Sequence, residues 1–123
     1  MVKREFSGKR DLTYNKWHRT LGNPYYMMDV DCVEWRSGRG IVAIIERTLH
    51  YPEGKYSQQD IIGFKQFEII VMTELSEKLQ VPAYLVLHNL DLTRFDVYRI
   101  KEETATFWRT MNHEEYGIFI RNL

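Results

Sequence analysis

The chain has 123 residues, 17 Lys and Arg against 17 Asp and Glu, a single cysteine and 44% hydrophobic residues. That composition fits one globular domain over 1–123 with a single core, and excludes both a disordered tail and a membrane span, since no apolar run reaches the roughly 18 residues a span needs. A lone Cys32 cannot form an internal disulfide, and a start without an apolar stretch is not that of a secretory signal, so the expected setting is intracellular and cytoplasmic.

The first element is a basic segment, 1–20, where Lys3, Arg4, Lys9, Arg10, Lys16 and Arg19 stand against Glu5 and Asp11 for about +4, leaving about −4 on the rest of a chain that is neutral overall. A solvated N-terminus accounts for such a run, and so does a polyanionic partner. Asp11 can cap a helix running to about Leu21, with Leu12, Trp17 and Leu21 as its buried candidates and Gly22-Asn23-Pro24 ending it. Tyr25 to Trp35 alternates as a strand, with Tyr26, Met28, Val30 and Cys32 on one side. Ser37 to Gly40 is a turn, and the apolar run Ile41 to Ile45 suits a strand buried on both faces. Ser57 can cap a long helix with a core-facing stripe of Phe64, Phe67, Val71, Leu75 and Leu79. A second stripe, Ile62, Ile69 and Met72, is either covered by the same body or forms the seam of a homodimer. Ala83 to His88 reads as a buried strand parallel to the 41–47 strand through a right-handed crossover, Arg94 to Ile100 as another strand, and Asn112 with Glu115 as the capping box of a last helix. The order α-β-β-α-β-β-α is that of an α/β or α+β domain with a mixed β-sheet flanked by helices.

The hairpin register carries the chemistry. A two- or four-residue loop at 37–40 pairs residues whose numbers sum to 77, setting Asp31 opposite Glu46 at about 5 Å and Asp29 opposite Thr48. Like charges so placed repel unless a cation neutralises them, so Asp31, Glu46 and Asp29 read as a divalent-metal site. Oxygen ligands without a second cysteine or a histidine pair favour Mg²⁺ or Mn²⁺ over zinc. An odd-length loop would break this register, and solvated acidic residues balanced by Arg36, Arg39 and Arg47 would account for the same sequence.

Asp31, a turn, the apolar run Ile41 to Ile45, then Glu46-Arg47-Thr48, a long helix and a buried strand resemble the PD-(D/E)xK nuclease superfamily, whose small stand-alone members include archaeal Holliday-junction resolvases of about this length. The resemblance implies a restriction-endonuclease-like fold, metal ligation by Asp31 and Glu46 with Asp29 auxiliary, and hydrolysis of DNA phosphodiester bonds. Thr48 stands where the family has its catalytic lysine, and a hydroxyl does not supply a cation's electrostatic contribution. Lys65 on the crossover helix and Lys55 in the loop before it are the candidates to supply that charge. The expected catalytic set is therefore Asp31, Glu46, Thr48 and Lys65. DNA, branched or single-stranded forms included, would be held by Lys9, Arg10, Lys16, Arg19 and Gln59; Gln58 and Gln66 near the same helix start could likewise contact a phosphate or a metal-bound water, and His50 beyond the strand end could assist proton transfer. The alternative is a nuclease fold that has lost its chemistry and binds nucleic acid or a protein partner.

Overall fold

A computed structural model describes residues 12–123, so Lys9, Arg10 and the cap proposed at Asp11 lie outside the described residues. Over these residues the elements are α1 (Thr13–Arg19), β1 (Cys32–Arg36), β2 (Gly40–Leu49), α2 (Gln58–Phe64), α3 (Gln66–Leu79), β3 (Ala83–His88), β4 (Phe95–Lys101), β5 (Thr104–Met111) and α4 (His113–Arg121). The strands lie side by side in chain order in an open five-stranded sheet. β2 and β3 are parallel and the other neighbours antiparallel, which is the mixed sheet of an α+β fold. Among the described residues no helix is long and apolar enough to cross a membrane.

The apolar run in β2 is buried on both faces, as its composition requires. Ile44 packs with Ile69 and Met72 of α3 and with Leu85, Leu87 and Tyr98 on one side of the sheet. Ile45 packs with Val86, Val97 and Met111 on the other, where Tyr116, Phe119 and Ile120 of α4 cover them. α4 starts at the expected capping box, with Asn112 and Glu115 each accepting the other's backbone N–H. Arg36 donates to the Ile120 carbonyl at 2.6 Å and ties the end of α4 to the β1–β2 hairpin.

Several expectations are corrected. The strand expected over Tyr25 to Trp35 is regular only from Cys32. Met28 and Val30 pack on the α3 side of the sheet but Cys32 packs on the α4 side, so these residues do not share one strand face. Met28 and Val30 find burial outside the sheet's pairing, whereas Cys32 pairs with Ile45. In α1, Leu12, Trp17 and Leu21 are all exposed, and Trp17 packs instead against Tyr14 and His18 of its own helix.

The long helix from Ser57 is two helices, broken at Lys65, whose φ of −95° and ψ of 12° leave the helical region. Gly63, a poor helix former, precedes the break. α3 therefore starts with a new phase and buries Ile69, Met72 and Thr73, while Phe64, Phe67 and Leu79 are exposed. The stripe considered for a homodimer seam is thus core-facing, while the stripe assigned to the core is divided, with Leu75 packed against the core, Val71 half-buried and the other three exposed.

β5 carries no turn signal of the usual kind. The β4–β5 turn puts Glu102 and Glu103 at φ values of 54° and 63°, a conformation that glycine or asparagine normally supplies. Contacts from α3 hold it: Thr73 Oγ1 accepts the Glu103 N–H at 3.0 Å, and Gln66 Nε2 donates to the Glu103 carbonyl at 3.3 Å.

The two faces of α3 are separable by substitution. Met72→Ala, in the core, is expected to lower unfolding free energy by about 2–4 kcal/mol. Leu79→Ala should cost under about 1 kcal/mol. Urea denaturation of the two variants checks this, and equal losses would contradict the assignment of faces.

Candidate functional site

The site begins in the hairpin. Pairs Cys32 with Ile45, Val33 with Ile44 and Glu34 with Ala43 keep the number sum of 77, although Arg36 pairs with Gly40 and leaves a three-residue loop. A bulge between Glu34 and Trp35 takes up the odd residue. Continued one step, that register sets Asp31 across from Glu46, and Asp31 Oδ2 accepts the backbone N–H of Arg47 at 3.0 Å. Strand alternation puts Glu46 on the same face as Ile44, toward the α2–α3 layer.

Glu46 is 4% exposed. Its Oε2 accepts a hydrogen bond from Lys65 Nζ at 3.0 Å. Its Oε1 is buried with no hydrogen-bond partner among the described residues. Burial pushes the Glu46 carboxyl above its ordinary value of 4.5; the Lys65 hydrogen bond opposes the rise, and the nearby Asp31 carboxylate adds to it. Asp31, Glu46 and Lys65 are therefore one electrostatic unit, joined from β1, β2 and the α2–α3 junction.

Asp31 and Glu46 line a cleft with a volume of about 730 Å³. α1 contributes His18 and Arg19 to its walls, the segment after α1 contributes Tyr25, Tyr26 and Asp29, and the first turn of α3 contributes Phe67 and Glu68. Reasoning from sequence did not single out Tyr25 or Glu68 and misread Tyr26 and Phe67 as strand and core residues. Glu68, three positions after Lys65 and so one helical turn on, was open to discovery once Lys65 was considered.

The remaining candidates are distributed as follows. Thr48 is half-buried on β2, two residues beyond Glu46, and pairs with Leu87. Lys55 lies over the Tyr56 ring, 5.4 Å from its centroid, and does not serve the carboxylates. The His50 ring meets the Tyr56 carbonyl at 3.1 Å, and His50 borders a different cleft, together with His88. His88 is the last residue of β3 and is buried. Cys32 packs with the α4-side cluster, and burial pushes its thiol up against the opposing effect of Arg47, as suits a packing residue.

Gln58 donates to Asp96 at 2.8 Å and accepts from the Tyr98 hydroxyl, so it belongs to a polar knot around the buried Asp96 that also includes Arg94 and Thr110. Gln59 is exposed, and Gln66 holds the β4–β5 turn. The start of α2 is closed by its own capping box, in which the Asp60 carboxylate already accepts the Ser57 N–H. Lys16 is exposed on α1.

Among the described residues no three His, Cys, Asp or Glu side chains form a group able to hold a metal, so Asp29 does not complete a three-carboxylate set with Asp31 and Glu46. A Mg²⁺-like ion needs only one or two protein carboxylates, the rest of its shell being water and substrate. The open Glu46 Oε1 beside Asp31 fits that requirement. No family model, curated protein or solved structure matches the chain.

The raised Glu46 pKa has a signed consequence. Because the folded state holds the proton more tightly than the unfolded chain, the contribution of Glu46 to stability is full below its ordinary value of 4.5 and is lost as pH rises through the folded value. Glu46→Gln should flatten this decline. Lys65→Met, which leaves the carboxylate without its cation, should cost about 2 kcal/mol at neutral pH, discounted from a fully buried pair because Lys65 keeps some solvent contact. Urea unfolding between pH 4 and 8 checks both, and an unchanged pH slope in Glu46→Gln would contradict the first.

Proposed function

We propose that the chain is a metal-dependent, nuclease-like protein that hydrolyses DNA phosphodiester bonds. The observation that carries this reading is the Lys65 ammonium 3.0 Å from the Glu46 carboxylate, with Asp31 beside it. A strand lysine is replaced by Thr48, and a cation from the helix layer stands at the same carboxylate.

Asp31 and the open oxygen of Glu46 would hold Mg²⁺ or Mn²⁺, which when bound neutralises phosphate charge and lowers the pKa of the attacking water. Lys65 would donate a hydrogen bond to that water or to a phosphate oxygen and stabilise the negative charge that develops there. Arg19 and His18, which line the same cleft, would hold the backbone beside the scissile group, with Lys16 and the basic residues Lys9 and Arg10 extending the contact. Such contacts make binding fall steeply with salt. A cytoplasmic setting belongs to the same reading.

A second reading is favoured by the same ion pair. Lys65 neutralises Glu46 without a metal, so the fold has no electrostatic need of one and could serve as a binding module for nucleic acid or a protein. Cleavage assays on duplex, single-stranded and branched DNA with Mg²⁺ or Mn²⁺ separate the two. Cleavage is expected, with losses of about 100-fold or more in Asp31→Asn, Glu46→Gln and Lys65→Met. No cleavage at stoichiometric protein, or cleavage that survives Asp31→Asn and Glu46→Gln, would reject the nuclease reading.

A further inference from the structure

We propose that the cleft beside Asp31 and Glu46 is built to take an unpaired nucleotide, so that the substrate class is single-stranded or locally unpaired DNA rather than intact duplex. This rests on the nuclease reading for the identity of the polyanion and goes beyond it in naming what the cleft recognises.

Tyr25 and Tyr26 line the cleft and are 61% and 65% exposed. Single exposed aromatic rings are ordinary, but two adjacent ones on the wall of a concave site are a binding surface by default. Tyr26 is also fixed in place. Its hydroxyl donates to Asn23 Oδ1 at 2.7 Å, and its ring leans on Phe67 with centroids 6.0 Å apart and planes at 58°. A ring tethered at its hydroxyl and braced on one side, yet mostly exposed, is a preorganised platform rather than a packing residue.

The chemistry of the other walls selects the occupant. His18 and Arg19 bring cationic and hydrogen-bonding groups to the same cleft, and Lys65 stands behind Glu46. Aromatic faces next to cations are how proteins hold single strands, because every base has a π-face and every nucleotide a phosphate. In a duplex the base faces are stacked inside the helix, and a tyrosine platform has nothing to meet until a base is unpaired or flipped. The volume of about 730 Å³ also falls among sites that enclose a small molecule, which suits a nucleotide or two and not the width of a duplex.

Fluorescence anisotropy with the full chain, in EDTA and at low salt, tests the assignment with a labelled mixed-sequence single strand and the corresponding duplex. The single strand should bind about tenfold tighter than the duplex, and the Tyr25→Ala/Tyr26→Ala variant should lose about tenfold in single-strand affinity while Tyr25→Phe, which keeps both rings and the Tyr26 tether, keeps it. Equal affinity for the two forms, or an unchanged single-strand Kd in the alanine variant, overturns the proposal; the comparison of forms needs no variant, so misfolding cannot hide the answer. Because no metal is present, the result is independent of cleavage. Selective, tyrosine-dependent binding without cutting would remove the nuclease reading alone, and cutting of duplex with no single-strand preference would remove this one alone.

Discussion

The buried Glu46 carboxylate is the constraint around which the rest of the fold is arranged. It sits in a strand with neighbours on both sides and next to the apolar residues that join sheet and helix, where an unpaired charge would cost several kcal/mol. Asp31 across the hairpin makes the problem worse, because a second carboxylate raises the cost of ionising the first. Among the described residues the cation that pairs with Glu46 is Lys65, and Lys65 is the residue at which the crossover helix breaks. At a junction the side chain is released from the direction that a continuous helix imposes. The break and the ion pair are two aspects of one solution.

That solution depends on register at two distant places. A slip of one residue in the β1–β2 hairpin would move Asp31 to the other face of the sheet, away from Glu46. The three-residue loop alone would cause it, and the bulge after Glu34 restores the pairing before the chain reaches the carboxylates. At the other end of the sheet, Thr73 and Gln66 of α3 hold the Glu102-Glu103 turn in a conformation that its residues disfavour. α3 is thus tied near its start to β2 through Lys65 and farther along to the β4–β5 turn. The helix layer is fixed relative to the sheet by polar contacts at both positions, with Ile69 and Met72 packed between them.

What was legible in the sequence was whatever a short stretch decides for itself. The apolar runs of β2 and β3, the cap at Ser57, the capping box at Asn112, and the parallel crossover between the strands all follow from local composition and from the handedness of such connections. The facing carboxylates followed from an even loop, which the chain does not have; the correct pairing survives because a bulge offsets the odd one. Lys65 could be named as a donor of positive charge from its position on the crossover helix. The rest depends on tertiary contacts. Gly63 is a weak local mark of the stop at Lys65, so Phe64, Phe67 and Leu79 were read into the buried face of one continuous helix, and two glutamates at the β4–β5 turn hide β5 because α3 supplies what a glycine ordinarily would. The cleft was hidden for a similar reason: Tyr26 and Phe67 look like interior residues until the segment before β1 is seen to leave the sheet.

The source of the cation also constrains how a phosphate can approach. A lysine at position 48 would sit in the strand, farther along β2 than Glu46, and be held by the sheet. Lys65 instead comes from the helix layer and takes one oxygen of Glu46, leaving the other buried and without a hydrogen-bond partner among the described residues, in a side chain that lines the cleft with Asp31. A divalent ion and Lys65 need not compete for the same lone pairs, so on the nuclease reading the ion pair is compatible with metal binding instead of a barrier to it. Arg19, Tyr25 and Tyr26 line the same cleft as the two carboxylates. On the nuclease reading, the aromatic residues and the displaced cation would therefore serve one occupant, a nucleotide engaged through its base by the tyrosines and through its charge by the cations.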